Sequence, residues 1–181
     1  MNRVLLGLIL MLITESAMAK SLLPQLRWYV INDSVMGGQS NSKLSLIEDD
    51  IYFTGQLSLA NNGGFASIRA QLLLGMGEAQ RIAIKVKGEP RTYQFRLRTN
   101  DNMDGIAYKV EFETQGSKKW QTFSFSPLDF TASYRGRAVA NAPKLQFANV
   151  SQLGFLIADK NLAPFSLLID EIATTPLLNS Q

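Results

Sequence analysis

The residues best suited to chemistry lie on a predicted β-hairpin between residues 93 and 114. Apolar and polar side chains alternate there with the period of a strand, so one face carries a row of polar groups while the other faces a core. Glu111 and Glu113 would project side by side from that row, with their Cα atoms about 7 Å apart. Two carboxyl groups near this spacing suit the acid–base hydrolysis of a glycosidic bond. The row comprises Gln94, Arg96, Arg98, Lys109, Glu111 and Glu113.

The two arginines of the row argue against a glycosidase. That reaction needs one carboxylic acid to stay protonated, whereas Arg96 and Arg98 on the same face would hold both carboxylates ionised. The row is therefore predicted to be either an exposed sheet face with weak cross-strand ion pairs or a surface that binds a polar ligand such as a sugar. In the second case Trp120 or Tyr134 would serve as a stacking platform.

A second basic segment lies in the irregular stretch 126–143, where Tyr134 and Arg135 are followed closely by Arg137. These residues could bind an anion or the acidic groups of a partner; the alternative is an ordered surface loop. The predicted ligand or partner face therefore comprises Gln94, Arg96, Arg98, Glu111, Glu113, Trp120, Tyr134, Arg135 and Arg137.

The composition excludes several other kinds of site. The chain of 181 residues has no Cys and no His, which excludes disulfides, thiol nucleophiles, Cys/His zinc sites and His-based triads. Asp101, Asn102 and Asp104 do not have the spacing of an EF-hand calcium loop. We therefore predict no catalytic residue, no metal and no cofactor, and we do not expect an enzyme. The net charge of +3 is too mild to predict a nucleic-acid partner.

Short strands must position these residues. Nine or ten predicted strands are separated by turn signals such as the one at residues 61–64, and no segment predicts a helix of ordinary length. This pattern is typical of an all-β sandwich or barrel. The chain shows no internal repeat and no linker, so residues 20–181 are predicted to form a single domain.

Residues 1–19 have the three parts of a secretory signal peptide. Asn2 and Arg3 form a short basic start, Val4–Ile13 is apolar, and small residues precede a cut after Ala19. The apolar run is too short to span a bilayer, and the absence of a cysteine at the cut excludes a lipid anchor. We expect cleavage, a mature chain without a transmembrane span, and export to the periplasm or exterior of a bacterial cell. An uncleaved anchor is the alternative.

The stretch 28–40 combines residue types that suit a tight backbone turn. Gly37 and Gly38 can adopt positive φ, and Gly38 in particular is expected to need it. Trp28 and Met36 are expected to anchor the segment on the sandwich. The residues predicted to fix its backbone are Asn32, Asp33, Gly37 and Gly38.

Several parts of the chain come in a characteristic order and spacing: 28–40, 53–57, 63–69, 93–98, Trp120, 134–137 with 142–143, 154–159 and 164–172. Together they resemble the complex I intermediate-associated protein 30 family over nearly the whole mature chain. The resemblance implies a galactose-binding-like jelly-roll, an antiparallel β-sandwich related in architecture to carbohydrate-binding modules. It supplies no catalytic residues. The matching signature residues are Trp28, Asn32, Asp33, Met36, Gly37, Gly38, Ser40, Gly64, Phe65, Pro164 and Phe165.

The resemblance also implies a function. Mitochondrial members of that family act as assembly chaperones for the respiratory NADH:ubiquinone oxidoreductase. We therefore expect a non-catalytic, exported binding module that holds a protein partner, in the manner of an assembly factor. The alternative is a carbohydrate-binding protein that recognises a glycan through Gln94, Arg96, Glu111 and Trp120.

Signal cleavage gives the first testable prediction. The protein isolated from a periplasmic extract should begin at Lys20, and Ala19→Arg should retain the precursor because the cleavage site requires a small residue. N-terminal sequencing and intact mass measure both. A wild-type chain that still begins at Met1 would show that the segment is an uncleaved anchor.

Overall fold

The computed structural model describes residues 20–48, 50–73, 75–100 and 104–175, and the predicted signal peptide lies outside them. The described chain forms two antiparallel β-sheets packed face to face. Its helical structure is limited to five 3₁₀ turns of 3 or 4 residues. The all-β antiparallel sandwich predicted from the strand pattern is confirmed. No helix in these ranges has both the length and the apolar character that crossing a membrane demands.

The described residues contain more strands than the sequence pattern predicts, because several strands are too short to show a period. Two of them, β10 and β11, fall in the stretch 126–143 that was expected to be irregular. In chain order the strands are β1 (Lys20–Ser21), β2 (Arg27–Asn32), β3 (Asn41–Ile47), β4 (Asp50–Gln56), β5 (Ala66–Gln71), β6 (Arg81–Gly88), β7 (Thr92–Arg98), β8 (Ala107–Glu113), β9 (Gly116–Phe125), β10 (Thr131–Tyr134), β11 (Arg137–Ala138), β12 (Gln152–Ile157) and β13 (Phe165–Thr175).

The strands divide between a front sheet and a back sheet. The front sheet has the order β11–β10–β8–β7–β12–β5–β2, and the back sheet has the order β3–β4–β13–β6–β9, with β1 also paired to β13. Strands distant in sequence are therefore neighbours, since β12 pairs with both β5 and β7 in the middle of the front sheet. This sheet order places the outer faces of β7, β12 and β5 side by side.

The core between the sheets fixes the central strands. Tyr93, Phe95 and Leu97 of β7 are fully buried. The ring of Phe95 lies 5.2 Å from that of Phe155 on β12 and 6.3 Å from that of Phe125 on the back sheet, measured between centroids. Each such side chain contributes about 1.5–3 kcal/mol by leaving water. Because successive side chains alternate between faces, the polar residues of β7 must then face outward.

Candidate functional site

The carboxylate of Asp33 organises the signature stretch. Its side chain is fully buried and accepts hydrogen bonds from the backbone amides of Ser40 at 2.9 Å, Gly64 at 2.6 Å and Phe65 at 3.3 Å, and from the Ser40 hydroxyl. Burial alone would raise the pKa of this carboxyl, but the hydrogen bonds outweigh burial and hold the pKa below its ordinary value. Asp33 thus ties the 3₁₀ turn Asp33–Met36 to the start of β5.

Two further side-chain bonds close the same cluster. The Asn61 amide donates to the Gly37 carbonyl at 3.0 Å, and the Ser42 hydroxyl donates to the Asn32 amide oxygen at 2.6 Å. The cluster gathers most of the residues that the family resemblance singled out, so their first role is structural. Those members are Asn32, Asp33, Gly37, Gly38, Ser40, Gly64 and Phe65.

The two glycines of the turn are needed for different reasons. Gly37 has a φ of 85°, in the left-handed region that favours glycine, and it has open space around it. Gly38 does not have positive φ, so that expectation is wrong. A Cβ atom on Gly38 would instead lie 2.3 Å from Cγ of Asp33, so the buried carboxylate leaves no room for a side chain there.

The expectation that Met36 anchors the turn is also wrong. Val35 and Met36 are 70% and 66% exposed, because the 3₁₀ turn directs them away from the core. Trp28 does pack against the core, with its ring stacked 6.1 Å from Phe155. The Asp33 cluster therefore presents two exposed apolar side chains on a rigid turn.

The last two signature residues lie elsewhere. Phe165 is buried in the core, with its ring centroid 4.9 Å from that of Phe53 and 6.5 Å from that of Tyr93. Pro164 is exposed just before β13. Neither residue lines the groove described next, so this pair supports the fold.

A groove of about 660 Å³ runs over the outer face of the front sheet. Its floor is built by the register of β5, β12, β7 and β8. In one cross-strand row, Arg69 of β5 is opposite Gly154 of β12, Gly154 is opposite Arg96 of β7, and Arg96 is opposite Lys109 of β8. In the next row, Gln152 is opposite Arg98.

Gly154 leaves a gap in the middle of the first row. A Cβ atom there would lie 2.3 Å from the carbonyl oxygen of Ile68 on the neighbouring strand, so only glycine fits this close approach. Because Gly154 has no side chain, Arg69 and Arg96 flank an open space. Their Cα atoms are two strand spacings apart, about 9.5 Å.

The groove is strongly cationic. Arg69, Arg96, Arg98, Lys109 and Arg135 line it, and the lining in the described chain holds a single carboxylate. Desolvation, and then the nearby arginine charges, lower the pKa of Arg96 and bring that of Arg98 to about 10. These guanidinium groups are therefore held close together at a cost in free energy.

Neither Arg96 nor Arg98 has an acidic partner within the residues that the structure describes. Arg98 donates to the carbonyl of Gly105. The Nε atom of Arg96 is buried and has no hydrogen-bond partner. The oxygen of the Gln94 side chain, on the same strand face, is also buried and unpartnered. Both groups can still bond to something placed in the groove.

The lining of the groove also includes one carboxylate and two exposed apolar side chains. The single carboxylate, Asp104, forms an ion pair with Arg135 and accepts a hydrogen bond from the Tyr134 hydroxyl at 3.2 Å. The exposed Val35 and Met36 line another part of the groove. The groove thus combines donors for an anion with a surface for an apolar side chain.

The two glutamates of the predicted row lie outside the groove. Glu111 contacts Lys109 at 3.0 Å and Gln94 at 3.1 Å, and Glu113 contacts the Thr92 hydroxyl at 3.4 Å. The expectation that arginines hold these carboxylates is wrong, because the register places lysine, glutamine and threonine beside them. No cluster of His, Cys, Asp or Glu in the described ranges could hold a metal ion.

Trp120 is not available as a stacking platform for the groove. It belongs to β9 of the back sheet, where the ammonium groups of Lys85 and Lys87 lie 5.4 and 4.6 Å from its ring centroid. Arg137 is exposed on the short edge strand β11 and does not line the groove. Of the predicted face, the groove contains Gln94, Arg96, Arg98 and Arg135.

Sequence reasoning missed the part of the groove that comes from distant strands. Arg69 is a half-buried charged residue between buried neighbours on β5, which is a signal for an outward face, whereas all six residues of β12 are buried and give no such signal. That signal does not say which strands are neighbours. Only the sheet order brings these residues beside Arg96.

Residues 18–169 match the family model described as complex I intermediate-associated protein 30. The chain belongs to this family. It is also 25% identical over 167 residues to the uncharacterised protein C9E9.15 of Schizosaccharomyces pombe, an alignment that covers 81% of this chain and 76% of that protein.

Solved structures show how widely the family's fold occurs. A family 11 carbohydrate-binding module of the cellulosomal cellulase Lic26A-Cel5E of Clostridium thermocellum is similar with a TM-score of 0.63 and 14% identity, over 90% of this chain and 96% of that one. A family 11 module from the same organism, in complex with a β-1,3-1,4-mixed-linked tetrasaccharide, has a TM-score of 0.59 and 15% identity, over 84% and 89%. At these identities the likeness shows the jelly-roll sandwich fold.

The Asp33 cluster predicts an acid-dependent loss of stability. Because the folded-state pKa lies below the ordinary value of 3.8, the contribution of Asp33 is complete above that pH and is lost as the pH falls through the folded-state pKa. Asp33→Asn should lower the free energy of unfolding by about 3 kcal/mol at neutral pH. The NH₂ group of asparagine is a donor and cannot accept the hydrogen bonds that the backbone amides donate to the carboxylate. The variant should also lose less of its free energy of unfolding than the wild type as the pH falls through the folded-state pKa of Asp33. Urea unfolding at a series of pH values measures both effects, and Glu78→Gln, at an exposed position, is the control. The same loss of stability with acid in Asp33→Asn and in the wild type would contradict the prediction.

The collision at Gly38 gives a second prediction. Gly38→Ala should lower the free energy of unfolding by about 1–3 kcal/mol, because its Cβ overlaps the buried Asp33 carboxylate. The matched control is Gly37→Asn, since asparagine tolerates positive φ and a Cβ atom there would have nothing within 4 Å. Urea unfolding measures both variants. Equal midpoints for Gly38→Ala and the wild type would show that the carboxylate can move aside.

Proposed function

We propose that this protein is a non-catalytic binding module that holds a protein partner in the groove of its front sheet, in the manner of an assembly factor. The observation that carries the proposal is the lining of the groove. Arg96 and Arg98 face it without acidic partners in the described chain, and Val35 and Met36 add an exposed apolar wall. A polypeptide supplies both acidic and apolar side chains, which match these two parts.

Two further observations support a protein partner. The family to which the chain belongs is described by its association with an intermediate of complex I. The aromatic platforms expected for a sugar are also poorly placed: Trp120 is on the back sheet, and Tyr134 does not line the groove. We extend the proposal to export, on the strength of the signal pattern in residues 1–19; the partner would then be a periplasmic or extracellular protein.

A carbohydrate ligand is the second candidate. One observation favours it: a module of the same fold was solved with a bound mixed-linked tetrasaccharide. Gln94 and Gln152 line the groove of the present protein and could bond to sugar hydroxyls. This reading uses the same groove with a different occupant.

Site-specific photocross-linking in the native cell separates the candidates. A photoreactive amino acid in place of Val35 should give a discrete protein adduct, because that side chain is exposed at the groove wall. The same amino acid in place of Thr122, exposed on β9 of the back sheet, should give none. Mass spectrometry then identifies the captured protein and its cellular compartment.

If Val35 and Thr122 give the same adducts, the groove does not hold a protein partner. Binding on a glycan array that is abolished by Arg96→Gln would then establish the carbohydrate candidate instead. Far-ultraviolet circular dichroism of each variant confirms that the sandwich is intact.

A further inference from the structure

The arginines on the floor of the groove have the properties of an anion site. The Nε atom of Arg96 is withdrawn from water and has no partner, and an unsatisfied buried donor costs about 1–3 kcal/mol. Arg96 is among the residues that line the groove. An anion placed there would recover this cost.

The geometry around Arg96 suits an oxyanion. Arg69 and Arg96 flank the space left by Gly154 in a single cross-strand row. Arg98 follows two residues after Arg96 on the same face and is opposite Gln152, whose oxygen lies 3.5 Å from a guanidinium nitrogen of Arg69. Guanidinium groups that converge on one gap can bind a carboxylate through paired hydrogen bonds.

The electrostatics agree with the geometry. Burial, and then the charge of Arg69, lower the pKa of both Arg96 and Arg98, so holding these charges together costs free energy. A bound anion removes part of that repulsion. Asp104 offsets only part of the repulsion at Arg98, because it is also paired with Arg135.

We propose that Arg96 and Arg98 form an anion subsite that takes the Asp or Glu carboxylates of an acidic polypeptide segment; this assignment rests on the function proposed above. The apolar wall decides between anions. Val35 and Met36 line the same groove and are exposed, which suits a segment that carries apolar side chains beside its carboxylates. A polyuronate offers carboxylates without such side chains.

The test uses the mature protein and a fluorescent peptide of alternating glutamate and leucine. Fluorescence anisotropy should show binding that weakens as salt rises. The matched peptide of alternating glutamine and leucine should not bind. This comparison changes only the ligand, so it does not depend on a variant that folds.

Variants then locate the binding. Arg96→Gln should weaken binding of the glutamate peptide about tenfold or more, as expected for a central arginine, and Arg96→Lys should restore part of it because lysine keeps the charge but not the fork of donors. Lys43→Gln, which removes an equal charge from the exposed face of β3, should leave the affinity unchanged. Thermal melting shows whether each variant is folded.

Three outcomes would overturn the assignment. Equal affinity for the glutamate and glutamine peptides would exclude carboxylate recognition, and equal effects of Arg96→Gln and Lys43→Gln would exclude this location. In either case a cross-link from Val35 would leave the groove as the partner site. Binding of oligogalacturonate with neither peptide bound would overturn the polypeptide ligand, and with it the proposed function.

Discussion

The buried carboxylate of Asp33 is the interaction on which the proposed binding face depends. It accepts four hydrogen bonds, from Ser40, Gly64 and Phe65, so one side chain joins the turn after β2 to the segment before β5. Removing it leaves backbone donors unsatisfied inside the protein, which is among the more costly single changes to a fold. The rigid turn that results places Val35 and Met36 at the groove.

The sandwich itself depends on a different set of forces. Alternation on β7 buries aromatic and aliphatic side chains on one face and leaves Gln94, Arg96 and Arg98 on the other. Stability therefore comes from the inner face and the Asp33 cluster, while the outer face retains two arginines without acidic partners in the described chain. Unsatisfied groups of this kind are expected where a surface is built for a ligand rather than for stability.

Much of the fold was predictable from the sequence, and much less of the site was. The alternation at Tyr93, Phe95 and Leu97 predicts a strand and its inner face, because that period is local. The proximity of Arg69 and Arg96 is a property of sheet order, which no local pattern encodes. Trp120 was misplaced for the same reason: its strand belongs to the back sheet. The side chain of Met36 was misjudged because hydrophobic character alone does not show which way a 3₁₀ turn points.

The missing side chain at Gly154 limits how the groove can change by mutation. Any other residue there meets the backbone of the neighbouring strand, so the space between Arg69 and Arg96 cannot be filled by a single substitution without disturbing the sheet. Evolution can alter the charge and reach of the groove at its flanking positions, but not its central depth. Relatives with other ligands should therefore share the hollow and differ in the residues around it.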